Sequence, residues 1–293
     1  MKSLISVADL AKGDLERLID RAIGFAEGRE EPAGRLHGRT VGTVFFEPST
    51  RSRISFELAS RRLGAEIVTF DLAGSSASKG ESDKDTLLTL AAMGPEILVV
   101  RHHADGFPEQ AMEWTGRPVV NAGDGRNEHP TQALLDAVTL RRRFGRVEGL
   151  AVGLVGDIAH SRVAGSLMKM LPVLGADVVL AGPPELLPEG SPFPVAGELD
   201  DLLGKVDVIY LLRVQRERGA EADEGYHERW GLDGAKASRM RSDAVIMHPG
   251  PINRGVEISE DVADGPRSVI LDQVANGVPT RMAVLAEIAE TLG

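Results

Sequence analysis

Short apolar runs of strand length alternate with amphipathic stretches along almost the whole chain. The first amphipathic stretch covers about residues 8–28, where Leu10, Leu15, Leu18, Ile19, Ala22 and Ile23 recur at helical spacing around an interior Gly24. A turn at 34–38 leads into a strand at 41–46, which stops at Pro48. A helical pattern with Ile54 and Leu58 follows to about Arg62 and ends at Gly64, a C′ glycine. Ile67, Val68 and Phe70 make a short strand, and the polar loop 74–81 precedes a helix running from Asp83 through Leu90. The apolar run 97–100 is a buried strand ending at Arg101, and 118–121 is another, followed by the turn Gly123-Asp124-Gly125. Pro130 then sits in the first turn of a long helix reaching about Phe144.

The pattern breaks at 145–149 and restarts. Strands are predicted at 150–155, 176–181, 206–212 and 244–247, with a helix at 162–174 interrupted by Pro172 and a Pro-rich connection at 182–194. The polar stretch 219–225 reads as a mobile loop, and an amphipathic helix from about Pro279 to Leu292 closes the chain. Strands alternating with helices on both sides of the break predict an α/β protein of two domains, each an open parallel sheet covered on both faces.

A chain of 293 residues with 42% apolar content can bury cores of that kind. No apolar run approaches membrane-spanning length and no signal-peptide core follows Met1, so a cytoplasmic protein with no membrane association is expected. The absence of Cys excludes disulfides, thiol nucleophiles and thiolate metal sites. A net charge of −11 argues against nucleic acid and anionic membranes as partners. Small anions remain as ligands, provided that arginines gather in one place.

Such a gathering is visible at Phe45-Phe46-Glu47-Pro48-Ser49-Thr50-Arg51-Ser52-Arg53, where a strand feeds a helix through a hydroxyl-rich turn. The first N–H groups of a helix lack partners and carry the positive end of its dipole. Hydroxyls and arginines added there make a phosphate cradle without a P-loop lysine. Arg101, His129, Arg162, Arg213 and His248 likewise follow the C-terminal ends of predicted strands, the edge at which open α/β sheets bind ligands. Each has an ordinary explanation when taken singly: a helix cap, a surface charge, a rigid loop. Gly153-Leu154-Val155-Gly156-Asp157 lacks dinucleotide-site spacing, and His102-His103 lacks a third ligand, so neither a nucleotide cofactor nor a metal is expected.

As a set these residues resemble the carbamoyltransferases. The motifs are Ser49-Thr50-Arg51-Ser52-Arg53, Arg101-His102, His129-Pro130-Thr131-Gln132, Arg213-Val214-Gln215 and His248-Pro249-Gly250-Pro251, in the family's order and spacing over essentially the whole chain. The second-half motifs, with Asn253-Arg254-Gly255-Val256-Glu257-Ile258, are similar to the aspartate branch; the ornithine branch typically carries a Cys-Leu-Pro segment. The resemblance implies two domains joined by long helices, with the active site in the cleft between them. Residues 1–133, completed by the helix 278–293, would bind carbamoyl phosphate, and 134–277 would bind aspartate.

The implied reaction is attack of the L-aspartate amine on carbamoyl phosphate, the committed pyrimidine step, with no cofactor, metal or covalent intermediate. Ser49, Thr50, Arg51 and Ser52 would hold the phosphate, and Ser52, Arg101 and His129 the carbonyl oxygen. Ser stands at 52 where the family often has Thr. Gln132 and the backbone carbonyls near Pro249, Gly250 and Pro251 would bind the carbamoyl NH₂, favouring an amide over an acetyl group; the family's hydrophobic residue at 250 is Gly here. Arg162, Arg213 and Gln215 match the binders of the aspartate carboxylates. Ser75 and Lys79 match a loop that reaches into a neighbouring subunit's site, which implies a homotrimer with shared active sites. Glu47 with Arg162 and Arg218 resembles ion pairs of a closed state. Regulatory chains or a dihydroorotase as further partners stay open, as do an ornithine or other amine carbamoyltransferase, a non-catalytic scaffold homologue and, on Gly153–Asp157 alone, a nucleotide-dependent oxidoreductase.

Overall fold

The computed structural model describes residues 1–71, 80–215 and 225–292. They divide into two compact units, Met1–Val138 with Val274–Gly293, and Thr139–Gln273. The first unit opens with a 3-10 turn at Val7–Asp9, capped by Ser6, and helix α1 (Lys12–Ala26). The expected start near residue 8 is therefore corrected: Leu10 is extended, and the 3-10 turn takes up the first apolar position, Val7. Strand β1 (Thr40–Phe45), helix α2 (Thr50–Arg62), strand β2 (Glu66–Asp71), helix α3 (Asp83–Ala92) and strand β3 (Ile97–His102) follow in the predicted order. Helix α2 ends in a Schellman motif, with Ala65 N–H donating to Ser60 C=O at 3.0 Å and Gly64 N–H to Arg61 C=O at 3.0 Å.

Helix α4 (Phe107–Thr115) comes next and was not legible in the apolar pattern. It spans only nine residues and starts on left-handed Gly106 without a side-chain cap, with Pro108 in its first turn as the start signal that was there to read. Its Phe107 and Ala111 are held instead by the sheet core around Val44, Leu98 and Val100. Strand β4 (Val119–Asp124) runs three residues beyond its predicted end, and helix α5 (Pro130–Phe144) begins on the expected proline. The sheet is parallel throughout, in the order β2-β1-β3-β4.

The second unit contains strand β5 (Ala151–Gly156), helix α6 (Arg162–Val173), strand β6 (Asp177–Ala181), the short strand β7 (Val195–Ala196) and strand β8 (Val208–Leu212). Helices α7 (Tyr226–Trp230) and α8 (Gly234–Ser238), strand β9 (Val245–Met247) and helix α9 (Glu260–Ala263) complete it. The three short helices escape periodicity because each spans barely a turn. Tertiary contacts hold them: Tyr226 and Trp230 enter the core, and the Lys236 ammonium closes α7 by donating to the carbonyls of Glu228 (2.6 Å) and Gly231 (2.9 Å). The sheet order is β7-β6-β5-β8-β9, again all parallel.

Helix α10 (Ile270–Ala289) corrects the predicted C-terminal helix, which was expected to start at Pro279. Proline lacks the N–H that would serve the carbonyl four residues earlier, which is why it reads as a start. Burial of Gln273, Asn276, Thr280 and Arg281 on either side holds the helix through it. The Thr280 hydroxyl also donates to Asn276 C=O at 2.7 Å. Both α5 and α10 contain a point at which the chain passes from one unit to the other. Among the described residues, no helix is long and apolar enough to cross a membrane.

Candidate active site

In the first sheet β1 pairs with β2 on one side and β3 on the other, so the topological switch falls between β1 and β3. Ligands of open α/β sheets bind at such switches, beyond the carboxyl ends of the strands. Phe45 stands opposite Arg101 in the register, so the Ser49–Arg53 turn and Arg101 leave the sheet side by side. Ser49 is the N-cap of α2 with an extended backbone (φ −157°, ψ 91°), yet its hydroxyl makes no capping bond. Thr50 and Arg51 are exposed, whereas Ser52 is buried and lies 3.4 Å through its Oγ from His129 Nε2. Residues that follow β1 and β4, far apart in the chain, thus meet.

His129 is buried, and its carbonyl accepts from the N–H groups of Gln132 (2.9 Å) and Ala133 (3.2 Å) at the start of α5. The turn ahead of it is held by Asp124, which accepts from Gly106 N–H (2.8 Å), Asn121 (2.8 Å), Asn127 (3.0 Å) and Glu128 N–H (3.2 Å). Glu128 in turn accepts from the Ser6 hydroxyl and from Val7 N–H at 3.1 Å. These supports were not read from the sequence; the polar residues crowded into a Gly-rich turn were the available signal. Arg101 donates through Nη1 to Ala122 C=O at 3.1 Å, and its Nε lies 3.4 Å from Glu47 Oε2. Gln132 donates to Asp136 at 3.0 Å.

His102 points to the other face of the strand. Its Nδ1 accepts from Ala104 N–H at 2.9 Å, so Nε2 carries the proton and donates to Asp83 at 3.0 Å. The ring stacks on Phe107 at 3.6 Å. Burial pushes its pKa below the ordinary value, with His103 adding to the shift, while Asp83 and Glu47 oppose it. The unfolded chain takes up the imidazole proton near pH ~6.5, the folded protein only at lower pH. The unfolded state thus binds more protons between those values, and stability is expected to fall as pH drops below about 6.5. Urea unfolding from neutral to mildly acidic pH checks this: His102→Gln should flatten the slope, and an unchanged slope would assign it to another group.

The second sheet repeats the arrangement, with its switch between β5 and β8. A Cβ on Gly156, at φ +114°, would come within 2.6 Å of Leu212 C=O, so the two strands close here only around glycine. Asp157 follows, fully buried, and accepts from Gln215 N–H (2.9 Å), His160 N–H (3.3 Å) and the His160 ring at Nδ1 (2.7 Å). Arg162 is buried at the first position of α6, whose N-cap Ser161 accepts from Ala164 N–H at 3.2 Å. Arg213 and Gln215 bond each other twice, Nη2 to Oε1 at 3.2 Å and Nε2 to the Arg213 carbonyl at 3.3 Å.

Beside them, beyond β9, His248 is buried against Glu257, and its Nδ1 accepts from Gly250 N–H at 2.8 Å. Nε2 therefore carries the proton toward Glu257 Oε1, 3.2 Å away. His248 N–H is in turn held by Gln273 at 2.9 Å. Gly250 has φ +63°, which explains glycine at a position the resemblance would fill with an apolar side chain. The Gly250–Pro251 peptide is cis. Ser75, Lys79, Arg216 and Arg218 lie outside the described residues. Among those described, no group of three or more His, Asp or Glu could hold a metal ion.

Comparison with known proteins agrees with both halves. The family model for the carbamoyl-P binding domain of aspartate/ornithine carbamoyltransferases matches residues 2–142, and that for the Asp/Orn binding domain matches residues 148–288. The chain is 50% identical to the aspartate carbamoyltransferase catalytic subunit of Acidothermus cellulolyticus, over 97% of this chain and 91% of that one. It superposes with TM-score 0.88 on aspartate transcarbamoylase from Trypanosoma cruzi in complex with N-(phosphonacetyl)-L-aspartic acid, at 32% identity, covering 98% of this chain and 95% of that one. The catalytic subunit of M. jannaschii aspartate transcarbamoylase gives TM-score 0.87 at 36% identity, over 100% and 99% of the two chains.

Proposed function

Because this chain belongs to the aspartate/ornithine carbamoyltransferase family, we propose specific roles for the residues gathered at its two sheet switches. The reaction is transfer of the carbamoyl group of carbamoyl phosphate to the amine of L-aspartate, giving N-carbamoyl-L-aspartate and phosphate. Ser49, Thr50, Arg51 and Ser52 bind the phosphate. The carrying observation is the Ser52 hydroxyl set against His129 Nε2 at 3.4 Å, just past β1, the strand paired with the one that carries Arg101. That is a cluster of donors for a carbonyl oxygen that becomes an oxyanion during attack.

Arg162, Arg213 and Gln215 bind the two carboxylates of aspartate. A planar guanidinium fork such as that of Arg213 suits a carboxylate better than a lysine point charge. The amine nitrogen forms the new bond to the carbamoyl carbon. The bond from that carbon to the phosphate oxygen breaks, and the amine proton leaves on the phosphate. Binding both anions in reach of each other supplies most of the acceleration. Ornithine would bring a cationic side chain to these arginines, which disfavours it. Assays with L-aspartate and L-ornithine side by side test the amine site: turnover with aspartate alone is expected, and a preference for ornithine would refute the arginine assignment.

The working assembly is a homotrimer in the cytoplasm, with Ser75 and Lys79 of one chain completing the site of its neighbour. Its support is the sequence match of that loop. Two separately inactive variants, Lys79→Ala and Arg51→Ala, should regain activity when mixed and reassembled, because some sites then receive both native residues. No recovery after subunit exchange has been verified would exclude shared sites.

A further inference from the structure

We propose that Asp136, backed by Arg281 of α10, is a positioning residue that fixes which end of the Gln132 side-chain amide faces the carbamoyl group. The inference rests on the reading of Gln132 as the acceptor for the carbamoyl NH₂. Gln132 and Asp136 are neighbours one turn apart on α5, and Gln132 Nε2 donates to Asp136 Oδ1 at 3.0 Å. A carboxylate has acceptors only. The amide must therefore turn its NH₂ toward Asp136, which leaves Oε1 to meet a ligand. A carbonyl oxygen accepts from a carbamoyl NH₂, whereas a flipped amide would oppose one donor to another. Asp136 is fully buried, so water does not compete for the bond.

Arg281 supplies the opposite charge. It is 3% exposed and donates through Nη1 to Ser55 Oγ at 2.9 Å and to Gly277 C=O at 3.2 Å, with its guanidinium 4.9 Å from the Phe56 ring centre. Burial, partly offset by the Asp136 charge, pushes its pKa down to about 10, so it remains a cation at neutral pH. Glycine at 277 leaves it room, since a Cβ there would lie 2.7 Å from Nη1. A buried carboxylate thus stands behind the amide, within electrostatic reach of a buried guanidinium. The guanidinium is also bonded to the helix whose first turn carries Ser52.

Kinetics and competition binding on the full-length enzyme test this with carbamoyl phosphate, acetyl phosphate and inorganic phosphate. Acetyl phosphate carries a methyl group in place of the NH₂. Asn at 136 keeps the size of Asp but offers both a donor and an acceptor, so Gln132 can turn either way. Asp136→Asn is expected to weaken carbamoyl phosphate about twofold to threefold, the loss expected when half or more of the amides are flipped, with KM changing more than kcat, while acetyl phosphate and phosphate bind as before. Equal weakening of all three ligands, or no weakening, overturns the proposal. If Asp136→Asn does not fold because Arg281 is left uncompensated, Asp136→Asn/Arg281→Met removes both charges and the same comparison decides. Gln132→Ala separates the two readings. A Gln132→Ala enzyme that keeps its preference for carbamoyl over acetyl phosphate refutes Gln132 as the reader. A preference lost in Gln132→Ala but kept in Asp136→Asn refutes the role of Asp136 alone.

Discussion

Arg51→Ala is expected to lower turnover about a thousandfold, with much less effect on the affinity for aspartate. Arg51 stands in the first turn of α2, where backbone N–H groups have no carbonyl partner earlier in the helix and the neighbouring Ser49, Thr50 and Ser52 each carry a hydroxyl. Those neighbours persist in the variant and still hold a ground-state phosphate. What disappears is the full positive charge, which matters most as the phosphate leaves with the bonding electron pair. An interaction made chiefly in the transition state lowers kcat, whereas uniform binding would raise KM alone. Phosphate release under saturating carbamoyl phosphate and aspartate measures the effect. Turnover within a few fold of the parent would remove Arg51 from the catalytic set.

Asp157→Ala should raise the KM for aspartate about a hundredfold and leave carbamoyl phosphate binding unchanged. The Asp157 carboxylate accepts from Gln215 N–H at 2.9 Å and from the His160 ring at 2.7 Å, with no exposure to water. Gln215 in turn exchanges two bonds with Arg213, so this one carboxylate sets the backbone from which both proposed aspartate binders project. Hydrogen bonds to a buried charge are worth about 1.5–3 kcal/mol each, and about 2.7 kcal/mol corresponds to the hundredfold effect. Asp157→Asn keeps one acceptor and should fall between. If both substrates weakened together, the carboxylate would be a general scaffold element rather than an anchor of the aspartate side.

The strand-to-helix turn at Ser49–Arg53 was legible because its signals are local. A strand that gives way before a proline and a hydroxyl residue at the N-cap mark a helix start among chain neighbours, and α2 begins at Thr50 accordingly. The strands were legible for a similar reason where they are continuous apolar runs buried on both faces, as in β8 and the first four residues of β3. Helix α4 was not, since it has neither a capping side chain nor enough turns to display a period. Pro279 misled about the start of α10, because a local rule about proline met a helix held by packing on both sides of it.

The residue types at the two sheet edges are a property of the sequence: hydroxyls and arginines after β1, Arg101 near the end of β3 and His129 before α5 in the first unit, Arg213 and Gln215 after β8 in the second. Their grouping is a property of the tertiary structure. Sheet order places β1 beside β3 and β5 beside β8, and no local signal specifies neighbours in a parallel sheet, since each pair is joined through crossovers many residues long. The same holds for orientation. His102 faces Asp83 while Arg101 beside it faces Glu47, because successive side chains of a strand leave on opposite faces and only packing decides which face meets what.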